Sequence, residues 1–142
     1  MGAMPSRSAN EPATVLVVDD DDQMRAVIRG FLEREGYHVL EEGSADQAMF
    51  ALDAVRTDVV ILDRVMPGMS GADLLSLLRR RGLNVPVILI TAFGGPDVEA
   101  EALSRGAACY LEKPFRMSKV LEAVEHLTRT QPTRPHQRPR PA

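Results

Sequence analysis

The chain has 142 residues, one cysteine and a formal net charge of −3, which excludes a disulfide-rich scaffold and favours one domain with a sizeable hydrophobic core. It contains neither an apolar run of the ~18 residues needed to span a bilayer nor a secretory signal, so we expect a cytoplasmic protein without membrane contact. Residues 128–142 hold four arginines and no acid, leaving 13 basic against 20 acidic residues before them. An acidic domain is not expected to bind nucleic acid directly, because neutralising phosphates takes Lys and Arg.

The two ends of the chain differ in composition from the middle. Residues 1–12 are predicted to be a disordered N-terminal extension that is partly a tag remnant. Residues 129–142 contain four prolines and four arginines, and this composition predicts a disordered tail or a linker. The predicted folded domain is therefore the segment 13–128.

The first predicted strand, residues 14–19, is an almost continuous run of β-branched and other apolar residues. Such a run is typical of a strand whose sheet is covered by helices on both faces. Apolar residues at helical spacing follow, and Gly36 is predicted to end that helix. The only cysteine, Cys109, lies in a similar apolar run near the end of the domain and is predicted to be a core side chain.

Further strands and helices alternate along the rest of the domain, the pattern of repeated βα units around a parallel sheet. The predicted strands are residues 37–41, 58–62, 85–90 and 108–111. Ser44 and Ser70 are predicted to cap the second and third helices. The loop 94–96 is predicted to be non-helical, and the helix after it, residues 97–105, has few apolar anchors and is expected to be the least stable.

Charged residues follow the carboxyl ends of three predicted strands. Asp19 and Asp20 follow the first strand, Asp63 the third and Lys113 the fifth. Open α/β folds bind ligands at the carboxyl edge of the sheet, where these residues would meet. Neighbouring carboxylates repel one another unless a cation lies between them, and Mg²⁺ accepts carboxylates together with water and phosphate oxygens. The pattern predicts a site for a divalent cation and a phosphoryl group.

Each candidate residue has a possible chemical role at this edge. Asp63 could attack phosphorus to form an aspartyl phosphate. Thr91, at the end of the fourth strand, could donate its hydroxyl to the phosphoryl group, and Lys113 could contact a phosphoryl oxygen as a point charge. Taken singly, the acidic run 19–22 could be a solvated turn or helix cap, Thr91 an ordinary strand residue and Lys113 a loop lysine. Their shared position favours the functional interpretation.

Four ordered motifs resemble the receiver domain of two-component response regulators. They are VLVVDD at 15–20, LDRVMPGMSG at 62–71, ITA at 90–92 and LEKPF at 111–115. The resemblance covers residues 14 to about 128. It implies a CheY-like, flavodoxin-like α/β fold, with five parallel strands in the order 2-1-3-4-5 and helices on both faces.

The resemblance also implies a site. Asp63 would accept a phosphoryl group from a sensor histidine kinase or a histidine phosphotransferase. Asp20 and Asp63 would hold Mg²⁺, for which Mn²⁺ could substitute, with Asp19 acting through water and the backbone carbonyl of Val65 completing the protein ligands. Lys113 would contact the phosphoryl group. In this family such domains assist their own phosphorylation and dephosphorylation and are not counted as enzymes.

A switch is implied as well. Thr91 and Tyr110 match the family's switch pair, in which the hydroxyl moves toward the phosphoryl group and the aromatic ring turns inward. The expected result is a changed surface that acts on a downstream protein, on an attached output domain or in a phosphorylation-dependent homodimer. Val65 and Phe93 are apolar where a polar side chain could orient water, so we expect slow self-hydrolysis.

Three other interpretations fit these residues less well. A phosphatase of the haloacid dehalogenase type also forms an aspartyl phosphate but needs a second acid two residues after the nucleophile, where this chain has Val65. An unphosphorylated binding module with the same fold would not need the full set of site residues. Dinucleotide binding is disfavoured because the first strand–helix turn is rich in Asp, not in Gly.

Overall fold

The computed structural model describes residues 11–129. The predicted N-terminal extension up to residue 10 and the predicted tail from residue 130 lie outside the described residues. Within residues 11–129, none of the helices combines the length and the apolar character that crossing a bilayer requires.

Five strands alternate with five helices in the described part of the chain. The strands are β1 (Thr14–Val18), β2 (His38–Glu42), β3 (Val59–Asp63), β4 (Val87–Thr91) and β5 (Cys109–Glu112). The helices are α1 (Asp22–Arg34), α2 (Ala45–Ala54), α3 (Gly71–Arg80), α4 (Pro96–Ser104) and α5 (Met117–Arg129).

The strands form one parallel sheet in the order β2-β1-β3-β4-β5. This confirms the predicted α/β fold, strand order and direction. Two pairs of the register matter for the site. Val18 of β1 lies opposite Leu62 of β3, and Thr91 of β4 lies opposite Glu112 of β5. The residues that follow β1 and those that end β3, β4 and β5 therefore reach the same edge of the sheet.

Two hydrophobic clusters cover the two faces of the sheet, because alternate residues of each strand point to opposite faces. One face of β1, with Leu16 and Val18, packs in the cluster that contains the buried residues of α2, α3 and α4. The other face, with Val15 and Val17, packs in the cluster that contains the buried apolar residues of α1 and α5. This arrangement explains why residues 15–18 of β1 and 59–62 of β3 are all apolar instead of alternating with polar residues.

The predicted helix caps are largely observed. The hydroxyl of Ser44 accepts a hydrogen bond from the amide of Gln47, and the Gln47 side chain accepts one from the amide of Gly43. Ser70 likewise accepts from the amide of Asp73 at the start of α3. These local hydrogen bonds determine the residues at which α2 and α3 begin.

Most predicted boundaries differ from the observed ones by one or two residues, and proline explains two of these differences. Residue 96 was assigned to a non-helical loop, but α4 begins at Pro96, because the first helical position needs no amide donor and tolerates proline. The fourth strand was predicted from residue 85, but β4 begins at Val87. Pro86 has no amide hydrogen for the sheet, and only its carbonyl bonds to Val60 of β3.

Candidate functional site

Three carboxylates meet at the carboxyl edge of the sheet. Asp19 and Asp63 are buried, Asp20 is exposed, and one oxygen from each lies within 4.8 Å of those of the other two. The sheet explains the meeting, since Val18 and Leu62 are paired and the residues after them stand side by side. All these donors are hard oxygen atoms, so the cluster suits a hard divalent cation.

The four-acid run from Asp19 to Asp22 divides into two pairs with different roles. The carboxylate of Asp21 caps α1 by accepting hydrogen bonds from the amides of Gln23 and Met24. Asp22, in the first turn of α1, pairs with Arg25. The helix-cap interpretation is therefore correct for Asp21, while Asp19 and Asp20 lie in the acidic cluster.

Asp19 is held in place through both its backbone and its side chain. Its amide donates to the carbonyl of Glu42, and its Oδ1 accepts a hydrogen bond of 2.9 Å from the amide of Asp21. The guanidinium of Arg25 donates to the Asp19 carbonyl and also pairs with Glu41 of β2. Sequence reasoning did not single out Arg25, which joins α1 and β2 to the acidic loop.

Lys113 supplies the positive charge of the site. Its Nζ lies 3.4 Å from Oδ2 of Asp19 and 3.5 Å from Oδ2 of Asp63. Its backbone amide donates to the carbonyl of Thr91, which extends the pairing of β4 and β5 by one residue. A cis peptide bond joins it to Pro114. The structure thus brings Lys113 to the acids, as expected from the strand ends.

The electrostatics of the site are dominated by Asp63. Burial, with a further contribution from the neighbouring Asp19 carboxylate, raises the pKa of Asp63 to about 6. Lys113 and the hydrogen bond from the Val65 amide, 3.3 Å long, oppose this rise. Burial disfavours the Lys113 ammonium, but the two carboxylates outweigh that effect and raise its pKa. The charged form of the Asp63 carboxylate is therefore disfavoured by its surroundings.

Thr91 and Tyr110 lie on adjacent strands but make separate contacts. Thr91 is fully buried, and its hydroxyl accepts a hydrogen bond of 3.1 Å from the amide of Phe93. Tyr110 is partly buried against the core, and its hydroxyl donates to Glu112 over 3.3 Å. In this structure neither hydroxyl is bonded to the acidic cluster.

Gly71 was not predicted to have a role, although it belongs to the LDRVMPGMSG motif. Its amide donates to the Arg64 carbonyl over 2.8 Å. A Cβ at this position would collide with the backbone carbonyl of Asp63. The start of α3 therefore packs directly on the main chain of Asp63, an approach that only glycine permits.

The family model of the response regulator receiver domain matches residues 15–125. The chain belongs to this family. It is 35% identical over 123 residues to the probable transcriptional regulatory protein TcrX of Mycobacterium tuberculosis, covering 87% of this chain and 53% of TcrX. The chain thus spans about half the length of this relative.

Solved structures of receiver domains share the fold. The receiver domain of the Francisella response regulator 1452 superimposes with a TM-score of 0.80 at 31% identity, covering 82% of this chain and 96% of the other. The beryllofluoride-activated NtrC4 receiver domain, which was solved as a dimer, gives 0.76 at 30% identity, covering 81% and 95%. The predicted membership of the two-component receiver family is confirmed.

Proposed function

We propose that this receiver domain is a phosphorylation-controlled switch in which Asp63 accepts a phosphoryl group from a histidine kinase or a histidine phosphotransferase. The observation that supports this most directly is the position of Asp63. Its carboxylate is buried, lies in contact with the Lys113 ammonium, and shares the sheet edge with two further acids. A buried acid beside another acid is costly, and such a cost is common at functional sites.

The acidic cluster would hold Mg²⁺, or Mn²⁺ in its place. Asp20 and Asp63 would provide carboxylate oxygens, Asp19 would act through water, and the backbone carbonyl of Val65 would complete the protein ligands. The cation would neutralise charge on the phosphoryl oxygens. Asp20 is exposed, so one side of the cluster is open to solvent.

Asp63, Lys113 and Thr91 would act during and after transfer of the phosphoryl group. An Asp63 oxygen would attack phosphorus, and the P–N bond to the donor histidine would break, leaving that histidine neutral. Lys113 already lies within 3.5 Å of Asp63 and would contact a phosphoryl oxygen. The Thr91 hydroxyl now accepts a hydrogen bond from the Phe93 amide. It would turn to donate a hydrogen bond to a second phosphoryl oxygen.

The change at the phosphoryl group would alter the surface formed by α4 and β5. Thr91 would leave its present position, Tyr110 would turn inward, and the loop between β4 and α4 would repack. Helix α4 suits such a role because Ala102 is its one fully buried residue. The domain assists these steps on itself and does not turn over a separate substrate.

The partners follow from this function. We propose a kinase or phosphotransferase as donor and, as target, a downstream protein, an output domain attached to the chain, or a second copy after phosphorylation. The beryllofluoride-activated NtrC4 receiver domain was solved as a dimer. This supports testing whether the present domain forms a dimer after phosphorylation. The folded unit would comprise residues 13–128, with residues 1–12 as an extension and 129–142 as a linker or tail.

The proposal is tested by incubating the protein with Mg²⁺ and acetyl phosphate. Intact mass spectrometry should show one added phosphoryl group on the wild type and on Asp53→Asn, an exposed control on α2. Asp63→Asn, or chelation of the divalent cation, should abolish the adduct. Size-exclusion chromatography of the same samples would report dimer formation. A wild type that stays unmodified and binds no beryllofluoride would instead indicate an unphosphorylated binding module.

A further inference from the structure

Glu112, the last residue of β5, makes two contacts that no part of the proposed site requires. Its Oε2 accepts a hydrogen bond of 3.0 Å from the amide of Gly95 and one of 3.3 Å from the hydroxyl of Tyr110. Gly95 precedes the first residue of α4, and Tyr110 is the aromatic member of the proposed switch pair. One carboxylate oxygen thus joins the start of α4 to the switch tyrosine.

The local sequence makes this contact important for α4. Gly95 occupies the N-cap position and has no side chain that could accept from the first amides of the helix. Glu112 reaches over from β5 and accepts from the amide of Gly95 itself, which fixes the residue where the helix begins. A negative charge near a helix N-terminus is also favoured by the helix dipole. Since Ala102 is the one fully buried residue of α4, a single added bond contributes much to holding the helix.

Gly94 shows how closely these groups pack. A Cβ on Gly94 would collide with both the Tyr110 hydroxyl and the Glu112 carboxyl group. The loop between β4 and α4 therefore lies directly against the Tyr110–Glu112 pair. The contact depends on the absence of a side chain at residue 94, and it would be disturbed by any movement of this loop.

We infer that Glu112 is a positioning residue that holds Tyr110 and the β4–α4 loop in the resting arrangement and so sets the threshold for activation. The inference rests on the proposed function, because it concerns the switch that phosphorylation would operate. Thr91 is paired with Glu112 across β4 and β5, so a shift of Thr91 toward Asp63 moves the loop beside this carboxylate. An inward turn of the Tyr110 ring breaks the Tyr110–Glu112 bond.

The consequence is a difference in free energy between the two states. The Glu112 bonds exist in the resting state and are at least partly lost in the active state, so they favour the former selectively. Removing them raises the fraction of molecules that are already competent to bind a phosphoryl analogue. Apparent affinity for the analogue rises by the same factor.

The test compares wild type, Glu112→Ala and Glu112→Gln by NMR titration with Mg²⁺ and beryllofluoride. Glu112→Ala should bind about three- to ten-fold more tightly than wild type, as the loss of one or two exposed charge-assisted bonds implies. Glu112→Gln keeps an acceptor oxygen and should fall closer to wild type. Without the analogue, the Gly95 amide should exchange with solvent faster in Glu112→Ala, which reports the contact itself.

Glu122→Ala is the matched control. Glu122 is an exposed acid on α5 that pairs with Lys119, so its removal changes net charge equally without touching the loop. Unchanged affinity in Glu122→Ala supports the assignment to Glu112. An equal gain in Glu122→Ala, or no gain in Glu112→Ala while the wild type binds beryllofluoride, would overturn it. Failure of the wild type to bind at all would instead defeat the proposed function, and the role of Glu112 with it.

Discussion

The Lys113 ammonium lies 3.5 Å from a carboxylate oxygen of Asp63, a residue 50 positions earlier in the chain. Strand β4 lies between the strands that carry these two residues, so the lysine reaches across the end of β4. The same ammonium lies 3.4 Å from Asp19. It therefore occupies a position in which it compensates two buried acids and would contact any group added to Asp63.

Replacing Lys113 should strengthen cation binding while removing the contact to the phosphoryl group. In Lys113→Ala, Asp19 and Asp63 lose their nearby positive charge, and a divalent cation becomes their main source of compensation. We expect the Mg²⁺ dissociation constant to fall several-fold, measured by NMR titration. Lys119, the chain's other lysine, is an exposed residue on α5, and Lys119→Ala should leave the constant unchanged. Weaker Mg²⁺ binding in Lys113→Ala would show that the lysine instead holds the carboxylates of Asp19 and Asp63 in the positions that bind the cation.

Stability should depend on pH through Asp63. Its pKa is raised from the usual 3.8 to about 6, so between these values the folded protein keeps a proton that the unfolded chain releases. The associated stability is present at low pH and is lost as the pH rises through this window. Without divalent cations, Asp63→Asn should therefore be more stable than wild type above pH 6, by on the order of 2 kcal/mol.

Urea unfolding at pH 4 to 8 in the presence of a chelator measures this effect. The advantage of Asp63→Asn should shrink to a small remainder near pH 4, because the folded wild type is then protonated and the unfolded chain is only partly ionised. Asp53→Asn, at an exposed position on α2, should show no such trend. An advantage that stays constant down to pH 4 would assign the stabilisation to something other than this titration.

Gly71→Ala should destabilise the fold and disturb Asp63 together. The new methyl group would collide with the Asp63 backbone, and backbone cannot move aside as a flexible side chain can. We expect a loss of at least about 2 kcal/mol in the free energy of unfolding. Gly30→Ala is the control, because Gly30 lies within α1 with no atom within 4 Å of its Cβ position. That change should stabilise by about 0.5–1 kcal/mol, and equal effects at both sites would contradict the packing argument.

The lifetime of an aspartyl phosphate should depend on Val65. Val65 is half exposed, and its amide donates to the Asp63 carboxylate, so an apolar, solvent-accessible residue adjoins the acid that would carry the phosphoryl group. Val65→Asn offers a group that can orient that water, and we expect faster loss of the phosphoryl group than in wild type. Phosphate release after removal of the donor measures the rate. An equal or longer lifetime in Val65→Asn would refute the expectation.

Much of the architecture could be predicted from local patterns. Apolar β-branched runs at 15–18 and 59–62 require burial on both sides, and alternation with amphipathic segments leaves a parallel sheet as the consistent arrangement. Ser44 and Ser70 marked the starts of two helices because their hydroxyls bond to nearby amides. These signals act over a few residues, and for that reason they can be recognised without the tertiary structure.

Other features depended on contacts between distant parts of the chain. Four consecutive acids look alike in sequence, but the direction in which the chain leaves β1 assigns Asp21 to the helix cap and Asp19 to the cluster. The raised pKa of Asp63 requires its burial beside Asp19. Neither property has a local signature, because solvent exclusion arises only when the strands have assembled.

The sequence by itself determined that charged residues end buried strands, and hence that acids and one lysine share an edge of the sheet. Only the tertiary structure decided that Glu112 of β5 satisfies the amide of Gly95 and bonds to Tyr110, and that Gly71 packs on Asp63. These are contacts between separate elements, formed by the register of the strands and the path of the loops. Hydrogen bonds and close packing depend on differences in distance of about a few tenths of an ångström, which residue types and spacing do not specify.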